Sequence, residues 1–359
     1  MRLPLHTAVD SAFKLIDSEL SCAKELILSS VRDNVSDAVR NIVSSADNII
    51  LRGKMLRPAL VLLSARAVGR ITDRHIPVAA IVEIIHNATL LHDDVIDEGQ
   101  KRRGTSTINS LCGNESAVLL GDFLLSRAFT MCADFEPRVI KIISAAAVRI
   151  CEGELRQVSQ KQNWRLTESE YIDIITEKTA CLFKTCCELG GLLAGADKAS
   201  VCSLGSFGQN LGIAFQITDD VLDIVGSESE EGKTLGRDAD KNTLTLPTIH
   251  LLMTVDESER NSMIKKLTAF AGNKKVLLEV LKSHGSLEYA CNKAQVFAAK
   301  AVDELAGLKT GDAKEALIET AGFVVDRVIP HLFKNMLSSK NKHSILKENG
   351  LTAKKSKIK

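Results

Sequence analysis

Asp93-Asp94-Val95-Ile96-Asp97 and Asp219-Asp220-Val221-Leu222-Asp223 repeat one pattern about a third of the chain apart, each after an apolar stretch with helical spacing. Residues four apart share a helix face, so the outer carboxylates of each cluster point the same way with the middle one beside them. Two such faces opposed across a cavity repel each other unless positive charge lies between them. A hard divalent cation suits that place, because Mg²⁺ prefers oxygen ligands, keeps several waters, and takes one or two carboxylates together with a substrate's phosphates. Basic residues stand close behind each cluster: Lys101, Arg102 and Arg103 after the first, Lys233 after the second. A further basic group, Gly53-Lys54-Met55-Leu56-Arg57-Pro58, sits on an earlier break. Metal-holding carboxylates ringed by arginine and lysine describe a diphosphate site, since the guanidinium fork matches phosphate oxygens and an ammonium adds a compact charge. Two basic groupings suggest two diphosphates. The plainer reading of one such motif is a set of exposed ion pairs, each worth about 0–1 kcal/mol. Two copies, each flanked by Lys or Arg and preceded by an apolar helical face, disfavour it.

The elements that carry these residues read as helices. Six prolines and three Tyr or Trp residues punctuate a chain in which apolar residues recur at three- and four-residue spacing. The pattern predicts one helix over 10–50, with Ala12, Leu15, Ile16, Leu20 and Ala23 as its buried stripe, and a break at Arg52-Gly53-Lys54. Further helices are expected over 56–68, 76–92, 114–132, 138–162, 168–193, 200–225, 246–255, 257–271, 274–284, 286–308 and 314–333. The loops over 98–104 and 226–245 follow the acid clusters and carry glycine and positive charge. No Pro-, Gly- or Ser-rich linker divides the chain, so one all-α domain over 1–333 is expected. Residues 334–359 hold eight lysines against one acid and read as a solvated tail, with at most weak, salt-dependent attraction to an anionic membrane.

Charge is balanced, 46 basic against 45 acidic residues, so nothing global points to nucleic acid. Nine cysteines without C-x-x-C spacing read as small buried hydrophobes of a reducing compartment. The first residues lack the apolar run of a cleaved signal peptide, and no uncharged stretch approaches the roughly 18–20 residues of a membrane span. A cytoplasmic protein is expected.

Taken in order, Gly53-Lys54-x-x-Arg57-Pro58, Glu83 to Asp97, Arg102-Arg103-Gly104, Gly121-Asp122, Cys151-Glu152-Gly153-Glu154, Lys178-Thr179-Ala180, Phe215-Gln216-x-x-Asp219-Asp220-x-x-Asp223 and Thr245-Leu246-Pro247 resemble the trans-isoprenyl diphosphate synthases, specifically the long-chain all-trans polyprenyl diphosphate synthases, over about residues 10 to 327. The resemblance implies an all-α isoprenoid-synthase bundle around a central deep cavity, and a homodimer. It implies chain elongation, in which isopentenyl diphosphate is joined head-to-tail to an allylic diphosphate such as farnesyl or geranylgeranyl diphosphate, with quinone side chains as the destination. It also implies Mg²⁺, about three per active site and replaceable by Mn²⁺, bridging the acid clusters to the allylic diphosphate.

Carried over residue by residue, Asp93, Asp97 and Asp219 are expected as metal ligands, with Asp94 and Asp223 as ligands or their partners and Asp220 among the catalytic acids. Arg102, Lys178 and Lys233 are expected on the allylic diphosphate, with Thr179 and Gln216 near the reacting carbon. Lys54, Arg57, His86 and Arg103 are expected to hold isopentenyl diphosphate. By periodicity alone His86 reads as a hydrogen-bonded core histidine, and its motif position reverses that. One departure stands out: Asn242-Thr243 occupies the place where many relatives carry Gly-Lys, with Lys241 nearby.

Product length follows from helix geometry. Ala88 and Thr89, five and four positions before Asp93, are expected on the wall of a tunnel beneath the first cluster, where short-chain relatives place aromatic rings. A small pair there lets the hydrocarbon pass, with Phe129 on a neighbouring helix as the expected floor and a product of C30 to C50. The alternatives are a geranylgeranyl or farnesyl diphosphate synthase, a class I terpene cyclase, which Lys54, Arg57 and Arg103 disfavour, and a non-catalytic subunit of a heteromeric synthase, which the full set of acids disfavours.

Overall fold

His75–Ile96 is apolar on all sides, with Val78, Ile81, Ile84, Ile85, Ala88 and Leu91 buried, which places this helix in the interior. The computed structural model describes residues 12–33, 35–36, 40, 42–44, 53–102, 104–226, 243–269 and 274–328. Around that helix, α3, the described elements run α1 (Asp17–Arg32), α2 (Leu56–Val68), α3, a two-residue-per-strand hairpin of β1 (Lys101–Arg102) and β2 (Thr105–Ser106), α4 (Ile108–Cys112), α5 (Asn114–Cys132) and α6 (Pro137–Ser159). They continue with α7 (Glu168–Ile175), a π-turn (Thr176–Ala180), α8 (Cys181–Leu193), α9 (Lys198–Val225), α10 (Leu246–Thr254), α11 (Glu257–Ala269), α12 (Lys274–Ser283), α13 (Ser286–Glu304) and α14 (Asp312–Asp326). The fold is all-α, as expected. Residues 329–359, and so the lysine-rich tail, lie outside the described residues.

Two apolar clusters make the interior. The larger joins α1, α2, α3, α5, α6, α8, α14, the later part of α13 and the first half of α9, with Leu204, Phe207, Leu211 and Ala214 from the last of these. The smaller joins α7, α10, α12, α13 and the second half of α9, through Ile213, Ile217, Val221 and Leu222. The 28-residue α9 therefore belongs to both. Burying apolar area at about 25 cal/mol per Å² is the dominant favourable contribution to either cluster.

Three expectations are corrected. The helix over 10–50 is not continuous: α1 stops at Arg32, Asp33 is extended at ψ 138°, and residues 35–36 are not helical. Aspartate competes with the helix by bonding to nearby backbone, so an apolar stripe does not by itself carry a helix past it. The helix over 168–193 is interrupted by the π-turn, which helical spacing does not reveal because one residue is merely inserted. Only four of the nine cysteines, Cys132, Cys181, Cys186 and Cys187, are buried; Cys22, Cys112, Cys151 and Cys202 are exposed.

The π-turn is gripped from two sides. α7 leads into it from a capping box in which the Thr167 side chain accepts from the Glu170 N–H and Glu170 accepts from the Thr167 N–H. A Cβ on Gly153 of α6 would lie 2.4 Å from the Lys178 nitrogen, and one on Gly212 of α9 would lie 2.6 Å from the Ala180 Cα. Neither position has room for a side chain. Gly153→Ala is expected to cost about 1–3 kcal/mol of stability by overpacking, and to lower turnover by moving Lys178. Gly307→Ala, which meets nothing within 4 Å, should stay within about 0.5 kcal/mol. Urea midpoints of the two variants check this.

Candidate active site

Both acid clusters sit on the C-terminal turns of apolar helices. Asp93 and Asp94 end α3, with Asp97 as its C-cap, and Asp219, Asp220 and Asp223 lie in the last two turns of α9. Unpaired carbonyls give a helix C-terminus a partial negative charge, so acids there add to a field that already calls for cations. Asp93, Asp97, Asp219, Asp220 and Asp223 all line one cavity of about 230 Å³, together with Arg57, Lys101, Arg102 and Lys178.

Several of these charges are paired. Lys178, on the π-turn, donates to both oxygens of Glu154 on α6, at 2.8 and 3.1 Å. Burial would lower its pKa, but Asp93, Glu154 and Asp97 outweigh burial and hold the ammonium more firmly protonated than an ordinary lysine. Burial pushes the Asp93 carboxyl up, and Lys178 and Arg102 pull it back. Burial likewise raises Glu154, opposed by Lys178. Asp220 is pushed up to about 6 by burial, against hydrogen bonds from Tyr171 and Gln216. Those bonds come from the Tyr171 hydroxyl to Oδ2 at 2.6 Å and from the Gln216 amide to Oδ1 at 2.8 Å. The Thr179 hydroxyl in turn donates to Gln216 Oε1 at 2.7 Å. Thus Asp220 orients Gln216 and Thr179 at the cavity wall. On the other rim, Arg327 donates to Asp219 Oδ1 at 3.0 Å.

Asp94 points elsewhere. It is buried, does not line the cavity, and takes Arg102 in a two-pronged bond, Nε to both oxygens at 2.9 and 3.0 Å and Nη2 to Oδ1 at 2.9 Å. Through these bonds Asp94 aims Arg102, which lines the cavity. The hairpin β1–β2, absent from the sequence reading, delivers Arg102, and Asn109 fixes its base by donating to the carbonyls of Asp94 and Gly99.

Of the residues expected on the second diphosphate, Arg57 and His86 line the cavity. The Arg57 guanidinium lies 4.8 Å over the Phe183 ring, and its Nε is buried without a partner atom, as suits a group awaiting an anion. Burial lowers its pKa, and Glu83 opposes the fall. Its position follows from the break before α2, where Met55 is buried in the left-handed region at φ 52°. Lys54 is exposed, with Nζ 4.5 Å over Phe323, and does not line the cavity. Arg103 and Lys233, with Lys241 and Asn242, lie outside the described residues, whereas Thr243 lines the cavity.

For the tunnel, Thr89 lines the cavity and Ala88 is buried behind it in the larger apolar cluster. Phe129 is corrected as the floor: it is 53% exposed on the outside of α5. The inward stripe of α5 runs Ala117, Leu120, Leu124 and Ala128, and Phe129 sits about 100° round the helix from Ala128. The sequence reading gave no role to Glu154, Tyr171 or Arg327. Glu154 stands in the same matched segment as Glu152, and only the structure separates the half-buried acid from the exposed one.

The residues fit a divalent cation. No three His, Cys, Asp or Glu side chains among the described residues converge closely enough to hold a metal alone. Asp93, Asp97, Asp219 and Asp223 turn carboxylates to one cavity, and Mg²⁺ takes one or two such carboxylates together with phosphate oxygens.

A polyprenyl synthetase family profile matches residues 39–283. The chain is 34% identical over 326 residues to an octaprenyl diphosphate synthase of Haemophilus influenzae, covering 89% of this chain and 97% of that one. It is similar to the crystal structure of a decaprenyl diphosphate synthase from Rhodobacter capsulatus, at a TM-score of 0.81 and 37% identity over 89% of this chain and 99% of that one. It is also similar to a polyprenyl synthase from Caulobacter crescentus CB15 complexed with calcium and isoprenyl diphosphate, at a TM-score of 0.83 and 33% identity over 89% and 98%. The chain belongs to the polyprenyl synthetase family, and its activity is that of a prenyltransferase.

Tyr171→Phe removes one donor from a buried carboxylate and slackens the chain of bonds to Gln216 and Thr179. A loss of about 1–3 kcal/mol in stability is expected, with kcat falling more than KM rises. Steady-state kinetics beside thermal denaturation check both.

Proposed function

We propose that the protein joins isopentenyl diphosphate head-to-tail (1'-4) onto an allylic diphosphate, farnesyl or geranylgeranyl, and repeats the addition to reach an all-trans chain of C30 to C50 destined for quinone side chains. The observation that carries this reading is that both acid rows, Arg102 and Lys178 open into the same cavity as Thr179 and Gln216. Asp93 and Asp97 on one side, Asp219 and Asp223 on the other, would hold Mg²⁺ when the allylic diphosphate binds, with Mn²⁺ able to replace it. When bound, Mg²⁺ neutralises the diphosphate as it becomes a leaving group.

Arg102 and Lys178 bind the diphosphate oxygens, and their fixed partners, Asp94 and Glu154, keep both cations in place before substrate arrives, so little reorganisation opposes the charge that builds on the leaving group. The C–O bond breaks with its electron pair going to pyrophosphate. The π bond of isopentenyl diphosphate, held by Arg57 and His86 with Lys54 and Arg103, forms the new C–C bond to the allylic carbon. A proton is then lost to the pyrophosphate. Thr179 and Gln216 stand at the reacting carbon, where their oxygen dipoles favour the cation. Lys233, in the basic group that follows the second acid row in the sequence, would add a further contact to the diphosphate.

The hydrocarbon grows past Thr89 and Ala88 between α3 and the small inward residues of α5. Val118, Leu119 and Phe129 on α5 and Val148 and Leu155 on α6 are large apolar side chains left exposed, as residues covered by a partner subunit would be, which supports a homodimer. The reading places the enzyme in the cytoplasm, its domain ending near residue 333 and its lysine-rich tail giving weak attraction to an anionic membrane. No helix among the described residues is long and apolar enough to cross a membrane.

With Mg²⁺, farnesyl diphosphate and labelled isopentenyl diphosphate, sized products should run past C20, and chelation should abolish them. Thr89→Phe and Ala88→Phe should each shorten the product while turnover persists; unchanged length would remove these residues from the wall. Leu119→Glu combined with Leu155→Glu should halve the mass seen by light scattering.

A further inference from the structure

We propose that Arg327 occupies the second acid row in place of metal, and that loading the site requires it to leave Asp219. This rests on the reading of that row as a metal site. Arg327 follows the last turn of α14, near the end of the described chain, yet its Nη2 reaches Asp219 Oδ1 at 3.0 Å. Its Nε donates to the Val324 carbonyl at 3.3 Å, and its guanidinium lies 4.5 Å over the ring of Phe215, itself a wall of the cavity. The side chains of the pair are 17% and 29% exposed, so the contact is largely sheltered from water.

A guanidinium is always protonated and has no lone pair to offer a cation. It can neutralise Asp219 but cannot share it: an oxygen turned to Arg327 is withheld from a metal approaching along that direction. The contact is therefore a competition. In the substrate-free protein Arg327 quiets a carboxylate that helix α9 holds at its own negative end, and so weakens the site for a bare cation. A metal that arrives with a diphosphate brings both the positive charge that replaces Arg327 at Asp219 and the negative oxygens toward which Arg327 can turn, pivoting on Phe215. Loading by the metal–diphosphate pair is thus favoured over loading by the metal alone, and the end of α14 reports whether the row is filled.

The test is Mn²⁺ binding to the full-length, metal-stripped protein without diphosphate, followed by electron paramagnetic resonance. Arg327→Gln should tighten binding roughly two- to fivefold, the size of one sheltered surface ion pair, while Arg327→Lys stays near the parent. Were Arg327 only a prop for Asp219, its loss would weaken Mn²⁺ binding instead. As a second readout, Arg327→Gln should lower the thermal midpoint of the metal-free protein but not that of protein saturated with Mn²⁺ and pyrophosphate. Unchanged or weaker Mn²⁺ binding, or an equal midpoint loss in both states, overturns the inference alone. Absence of Mn²⁺ binding by the parent, with and without pyrophosphate, overturns the metal reading of the site and this inference with it.

Discussion

Negative charge gathered at the C-terminal ends of two buried helices is the constraint to which the rest of the structure answers. α3 and α9 are apolar enough to be interior elements, and both end in aspartates where the backbone already contributes a partial negative charge. Burial makes this costly, as the upward-shifted carboxyls of Asp93 and Asp220 register. The fold meets the cost with fixed cations and donors: Lys178 beside Asp93, Arg102 on Asp94, Arg327 on Asp219, Tyr171 and Gln216 on Asp220. What remains turned into the cavity is a set of carboxylates facing lysine and arginine side chains.

The cations are placed by irregular backbone. Arg102 comes from a hairpin of four paired residues, Lys178 and Thr179 from a π-turn, and Arg57 from a helix entered through a left-handed Met55. Local departures from regular structure persist only where surroundings over-determine them. Here Gly153 and Gly212 let two helices press on the π-turn, and Asn109 and Thr107 tie down the hairpin's base. Rigid helices supply the acids, and these departures supply the aim.

Much of this was legible in the residues. Helical spacing placed most helices within a few positions, and the doubled acid pattern located the cavity. What the spacing could not show was direction. Asp94 and Phe129 each lie about 100° from the face that matters, Asp94 because Asp93 and Asp97 define the cavity side, Phe129 because Ala128 defines the inward stripe of α5. The π-turn was hidden for a related reason: one inserted residue leaves the apolar pattern almost intact while rotating everything after it. Arg327 and Tyr171 contribute through contacts that span 108 and 49 residues, and no local pattern announces such a pairing.

The two acid rows are rooted in different hydrophobic clusters, the first through α3 in the larger, the second through the latter half of α9 in the smaller. Their spacing is therefore a property of the seam where the clusters meet, near Leu211, Ile213 and Ala214, rather than of either cluster's own packing. A slight slide along that seam would widen or narrow the gap between the rows without disturbing a single carboxylate's immediate neighbours. Substitutions buried far from any charge, such as at Leu281 or Leu252, can thereby retune how strongly the opening grips its cargo.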